Sequence, residues 1–147
     1  MKDIARYLLI CCVVVTALGC SGSHEPTDAK GQAECYQTEF GSLPPAGIAH
    51  IQAKQVMVGD AARAWLRFEA TPEIVDSLLK RFTSSDRGTF GEHSGGGNMP
   101  AWWKPDSDHL TAFYVVEGWR KDFGASYAVI AHDAKKRVVY FCHDAFD

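Results

Sequence analysis

The sequence predicts an α+β protein, an antiparallel sheet of about five strands with one helix packed on one face, which is a two-layer sandwich. The first observation is an alternation of apolar and polar side chains over residues 61–70. The second is a helical apolar pattern that follows Thr71, and the third is a set of three β-rich runs toward the C-terminus. Strands, a helix and then further strands favour a sheet with a helix on one face.

The first two strands are predicted over residues 48–58 and 61–70, with a turn at Gly59 and Asp60. Two such runs with a short turn between them are typical of a hairpin. The second run places two sets of side chains on opposite faces: Ala62, Ala64, Leu66 and Phe68 against Arg63, Trp65, Arg67 and Glu69.

A helix is predicted to begin at Thr71 and to end near Thr83. Thr71 suits a cap, Pro72 suits the first helical position, and Glu73 complements the helix dipole. The apolar residues that follow are spaced as one helical stripe: Ile74, Val75, Leu78, Leu79 and Phe82.

The stretch 84–110 is predicted to be the least regular part of the chain, with a long mobile loop at residues 91–98 and a rigid extended segment at 99–105. Residues 91–98 are rich in glycine but lack the Gly-Lys-Ser/Thr ending of a phosphate-binding loop. Three strands are then expected over residues 111–116, 125–132 and 137–143. On the last strand, two sets should face opposite ways: Val138, Tyr140 and Cys142 against Val139, Phe141 and His143.

The N-terminus carries the pattern of an export signal. Lys2 and Arg6 are followed by nine apolar residues over 7–15, and small residues then lead to Cys20. The apolar run is too short to span a bilayer but fits a secretory signal peptide.

Residues 16–20, Thr-Ala-Leu-Gly-Cys, resemble the lipobox of bacterial lipoprotein precursors. The resemblance implies cleavage before Cys20, a diacylglycerol on its thiol and an acyl chain on its amine, which together would anchor the protein to a membrane. Ser21 and Gly22, with no Asp after the cysteine, favour the outer membrane with the domain in the periplasm. The alternative is an ordinary signal peptide in which Cys20 occurs by chance.

Removal of residues 1–19 takes away Lys2, Arg6 and Asp3 and leaves 128 residues with a net charge of −4. That length predicts one domain, and the acidic charge without a basic stripe argues against nucleic acid as a partner. Residues 20–34 contain almost no large apolar side chains, so they are expected to be the lipidated cysteine and a flexible tether before a single domain at 35–147.

Cys11 and Cys12 would leave with the signal peptide and Cys20 would carry lipid, so Cys35 and Cys142 are the cysteines that remain. An even pair in an oxidising compartment predicts a disulfide, and one that closes a loop of about 107 residues would contribute ~4–5 kcal/mol in the chain-entropy model. The alternative is two separate thiols.

Four tryptophans are the candidate binding residues. Trp102 and Trp103 lie on an extended segment between Pro100 and Pro105, so one ring can dock on the core while the other is exposed to a protein partner or a glycan. Trp65 and Trp119 could extend the same patch. In the alternative, the adjacent pair plugs the open end of the sandwich.

Catalytic chemistry has weaker support. His132 and Asp133 are the candidate residues of a hydrolase acting on envelope material, but no Gly-x-Ser-x-Gly elbow is present. The histidines lack zinc-ligand spacing, so no metal or cofactor is predicted.

The body resembles small uncharacterised exported bacterial proteins through Arg67-Phe68-Glu69-Ala70, the helix, Pro100-x-Trp102-Trp103-x-Pro105 and a final Val138-Val139-Tyr140-Phe141. That resemblance implies no particular activity. The sequence therefore predicts a membrane-anchored, non-catalytic binding module of the envelope, with a periplasmic hydrolase or an enzyme inhibitor as the alternatives.

Overall fold

A computed structural model describes residues 21–133 and 135–147. The predicted signal peptide and Cys20 lie outside these ranges. The α+β class and the antiparallel sheet are confirmed, but the sheet has seven strands and the described chain has three α-helices, where five strands and one helix were expected.

The chain forms its elements in the following order: β1 (Gly22–His24), α1 (Ala29–Phe40), β2 (Ile48–Val58), β3 (Ala61–Ala70), α2 (Pro72–Leu79), β4 (Thr83–Ser85), α3 (Arg87–Ser94), a 3₁₀ turn (Pro105–Asp108), β5 (Ala112–Glu117), β6 (Ala125–Asp133) and β7 (Val138–Phe146). All neighbouring strands are antiparallel, in the order β1-β2-β3-β7-β6-β5-β4.

The predicted hairpin and helix are confirmed, with different ends for the helix. Val58 pairs with Ala61 across the turn, where Gly59 has a φ of 57° that suits glycine. Helix α2 starts at Pro72 but ends at Leu79, because the next residues turn toward strand β4.

The expected tether is wrong from Gly22 onward. Residues 22–24 form the edge strand β1, and helix α1 begins at Ala29. Asp28 caps α1 by accepting a hydrogen bond from the Gly31 amide at 2.9 Å, and Gly41 ends the helix at a φ of 79°.

The sheet is covered on both faces, so the fold has three layers instead of the expected two. The front face carries α1 and α2, and its core includes Tyr36, Leu66, Phe68, Ile130 and Phe141. The back face carries α3 and the segment around Trp103, and its core consists of Trp65, Phe90, Trp103, Leu110, Val129, Ala131, Val138, Tyr140 and Cys142. The expected long loop is therefore wrong in part, since it contains a helix that covers this second core.

The predicted disulfide is also wrong. Cys35 lies on α1 in the front core, whereas Cys142 lies on β7 in the back core, and both are buried free thiols. The sheet separates them because Cys142 alternates with His143 along β7, and only the odd-numbered residues of that strand face α1.

Candidate functional site

The four tryptophans do not form one exposed patch. Trp65 and Trp103 are buried in the back core, and Trp119 is buried in the front core on the other side of the sheet. Trp103 packs edge-on against Tyr140, with ring centroids 5.0 Å apart. Trp102 is half-buried and donates a hydrogen bond to Glu25 at 2.9 Å. The pair therefore covers the core, as in the structural alternative, and leaves a partly exposed ring at Trp102.

His132 and Asp133 do not form a catalytic pair. Asp133 accepts hydrogen bonds from the amides of Lys135 and Lys136, at 2.9 Å and 3.1 Å, and so holds the β6–β7 turn. His132 is half-buried, and burial lowers its pKa. Adjacent residues of a strand point to opposite faces, which separates this pair as it separates His143 from Asp144.

The structure brings together a different set of polar residues on the front face. They lie beneath a cavity of about 370 Å³ at the end of the sheet where β2 and β7 finish. The cavity is lined by Gly22, Ser23, His24, Thr38, Glu39, Gln55, Val56, Met57, Ala62, Arg63, Arg120 and His143. We call this space the front cavity.

The floor of the front cavity is a buried carboxylate beside a buried imidazole. Glu39 is 7% exposed and His143 is 1% exposed. Glu39 Oε2 lies 3.2 Å from His143 Nδ1, in an orientation that does not make a hydrogen bond. Gln55 donates to Glu39 Oε1 at 3.2 Å and accepts from the Cys35 thiol at 3.5 Å. Hydrogen bonds thus join Cys35, Gln55 and Glu39, and His143 lies in contact with Glu39, on an otherwise apolar face of the sheet.

Two atoms of this floor have no hydrogen-bond partner among the described residues. They are Glu39 Oε2 and His143 Nε2. Leaving a buried polar group unsatisfied costs about 1–3 kcal/mol, so such groups are rare in folded proteins unless they serve another purpose. His143 Nε2 is itself buried, so it is an unsatisfied polar atom in the floor next to the front cavity.

Small side chains create the space. Ala62 on β3 and Ala145 on β7 are register partners on the front face, next to Ala64 and His143. Helix α1 positions Glu39 one turn after Cys35, so both side chains point toward β2. The cavity therefore lies over alanines, between the end of α1 and the end of the sheet.

Arginines flank the front cavity. Arg63 makes two hydrogen bonds to Asp144, at 3.1 Å and 2.6 Å. Arg120 pairs with Asp122, which raises the pKa of the guanidinium and lowers that of the Asp122 carboxyl to about 2. Burial of the Cys35 thiol, followed by the nearby charge of Glu39, raises its pKa to about 11. The thiol is therefore protonated at neutral pH and is not a nucleophile there.

Sequence reasoning missed this site because residues 29–34 were assigned to a tether. The signal that could have found it is the bracket of Asp28 and Gly41 around the apolar pair Tyr36 and Phe40, which marks both ends of a short helix. Glu39 would then have been recognised as a charged residue on the side of α1 that faces the sheet.

Within residues 21–133 and 135–147, no three His, Cys, Asp or Glu side chains are grouped so as to hold a metal ion. Over the same residues, no helix has the length and apolar character needed to cross a membrane. Comparison of the chain with protein-family models, with curated proteins and with solved structures produced no match.

Proposed function

We propose that the protein is a lipid-anchored lipoprotein of the bacterial envelope, and that its domain is a binding module whose ligand enters the front cavity. The observation that carries the binding site is the unpartnered His143 Nε2 beside Glu39 on the cavity floor. The lipobox pattern that ends at Cys20 supports the anchor, the outer membrane and the periplasmic address.

The chemistry of the cavity limits the ligand. A volume of about 370 Å³ is at the small end of the range for small-molecule pockets, about 300–1,000 Å³. Val56, Met57 and Ala62 contribute apolar side chains to its lining, and His143 contributes a polar one. The ligand we propose is a small molecule, or the end of a larger one, with one hydrogen-bonding group and an apolar portion.

Binding of a protein or glycan through the tryptophans has less support than binding in the front cavity. An aromatic ring must present a face to a sugar or fill a pocket of a protein partner. Three of the four rings are buried in the two cores, and Trp102 is engaged by Glu25.

Hydrolysis is the second candidate function. Glu39 Oε2 lies 3.2 Å from Nδ1 of His143 and Nε2 has no hydrogen-bond partner, so a water that reached Nε2 could give up a proton to it. A binding module requires no turnover. A hydrolase would instead lose its activity equally in Glu39→Gln and His143→Gln.

The test of the binding site is a fragment screen of the unlipidated mature chain, read through the ring resonances of its histidines. We expect small amphiphilic fragments to shift the His143 signals and to lose binding in His143→Gln. His93→Gln is the matched control, because His93 stacks on Tyr127, away from the cavity, and should leave binding unchanged. Fragments that bind His143→Gln as well as the parent would exclude the cavity as the site.

The anchor is tested separately by Cys20→Ala. The variant should be unprocessed or released from the membrane fraction, and its N-terminal peptide should lack the mass of acyl chains. Membrane attachment that survives the substitution would contradict lipidation at Cys20.

A further inference from the structure

The edge strand β1 starts two residues after the proposed lipidation site. Gly22 pairs with Met57 near the end of β2, and Ser23 pairs with Val56. Two residues of extended chain span about 7 Å at most. A lipid on Cys20 would therefore hold this end of the sheet close to the bilayer, where a flexible tether would have let the domain move away.

The same end of the sheet carries exposed apolar side chains. Met57 is 47% exposed, Val58 is 56% exposed and Phe146 is 46% exposed. They are three of the five large hydrophobic residues that are exposed in the described part of the chain. The other two are Leu43, which precedes β2 at the far end of the sheet, and Met99.

The register places two of these side chains on one face of the sheet. Val58 pairs with Ala61, and Ala61 pairs with Phe146, so Val58 and Phe146 lie in one row on either side of Ala61. Met57 precedes Val58 and therefore points to the opposite face of the same end. Neighbouring strands are about 4.8 Å apart, which puts Val58 and Phe146 about 10 Å from each other. We call Met57, Val58 and Phe146 the sheet-end patch.

The charges around the patch do not favour an electrostatic attraction to anionic lipid, because Arg63 and Arg120 at this end of the sheet are paired with Asp144 and Asp122. Asp60 lies in the turn between β2 and β3, and Asp147 follows Phe146; both are exposed acids. A cluster of basic residues, which anionic headgroups would require, is not found beside the patch within the described chain. Contact with a bilayer would therefore depend on apolar side chains and on the anchor.

We propose that the sheet-end patch rests on the bilayer that holds the Cys20 lipid, so that the domain is seated on the membrane surface. The inference rests on the proposed lipidation. Because Gly22 and Met57 also line the front cavity, this orientation places the cavity beside the membrane surface.

The experiment uses the full lipoprotein in phosphatidylcholine vesicles that contain lipids brominated along the acyl chain. A fluorophore is attached at Met57→Cys, and the matched control is Leu43→Cys, which is 61% exposed in the connection that leads from α1 into the opposite end of β2. Cys35 and Cys142 are buried and remain unlabelled in the folded protein. We expect several-fold stronger quenching at position 57 than at position 43.

A second variant tests the patch itself. Val58→Asp should reduce quenching of the label at position 57, since a charge opposes entry into the headgroup region, whereas Leu43→Asp should not. Equal quenching at the two labelled positions would overturn the proposal. The proposal would also be overturned if protection of the label at position 57 depended on the density of protein in the vesicles. That result would indicate contact with a second copy or another protein.

The two failures are distinguishable. If lipidation is wrong, the protein does not remain with the vesicles and its N-terminal peptide lacks acyl chains. If only the seating is wrong, the protein remains with the vesicles and the label at position 57 is quenched no more than the label at position 43.

Discussion

Replacement of His143 alone should destabilise the fold strongly, whereas replacement of His143 and Glu39 together should not. His143→Leu leaves the Glu39 carboxylate in a site that is 7% exposed, with Gln55 as its remaining hydrogen-bond partner. Leaving a buried polar group without its partner costs about 1–3 kcal/mol, and more where the remaining group is charged. The double variant Glu39→Met with His143→Leu removes both polar groups, and such replacements are neutral or stabilise by about 1–4 kcal/mol.

The assay is urea unfolding of the unlipidated mature chain, followed by tryptophan fluorescence. With an m-value of about 1.5 kcal/mol/M, a loss of about 3 kcal/mol lowers the urea midpoint by about 2 M. We expect that shift for His143→Leu, and a midpoint at or above the parent value for the double variant. The control is His93→Leu, which removes a half-buried ring stacked on Tyr127 and should cost about 1 kcal/mol.

If folding does not require Glu39 and His143, their presence in the core points to binding. A double variant destabilised by as much as His143→Leu, or by more, would refute it. The pair would then be a structural element of the front core. A double variant that is stable but has lost fragment binding would instead match the usual conflict between stability and function at a site.

Two further predictions concern the back face and the thiols. Asp108 accepts a hydrogen bond from the Tyr140 hydroxyl at 2.6 Å and lies 3.4 Å from Arg67; these contacts outweigh burial and lower its pKa. Asp108→Asn should therefore cost about 1–3 kcal/mol at neutral pH. Because the folded pKa is below the unfolded one, this stabilisation is present above about pH 4 and is lost as the pH falls toward the folded pKa. The free energies of unfolding of parent and variant should therefore converge in acid. A difference that stays constant with pH would contradict the assignment. Cys35 and Cys142 should resist alkylation in the native protein, where burial raises both pKa values, and should react fully in denaturant without reductant. Failure to react in denaturant would restore the disulfide.

The features that were predicted correctly from the sequence are local. The β2–β3 hairpin follows from alternation on either side of Gly59, and α2 follows from Pro72 and an apolar stripe, so neighbours along the chain are sufficient to specify them. The opposite orientations of Phe141 and Cys142 on β7 are likewise a consequence of strand geometry. Lipidation at Cys20 also comes from a local pattern, and it stays a prediction.

Helix α1 shows where local information was insufficient. Its first turns contain Gly31 and few large apolar residues, so its own pattern resembles a polar linker. It is stabilised by the Asp28 cap and by packing of Tyr36 and Phe40 on Phe68, which lies far along the chain. The disulfide prediction failed for the same reason, since the face on which Cys35 lies depends on where α1 packs.

The sequence alone determined the class of the fold, the central hairpin, the second helix and the alternation of the last strand, because each depends on residues within one turn or one strand. The tertiary structure alone decided that both faces of the sheet are covered, that the tryptophans belong to two cores, and that Glu39 meets His143 beneath a cavity. Those outcomes depend on strand order and helix packing, which join residues from opposite ends of the chain and leave no periodic pattern in either segment.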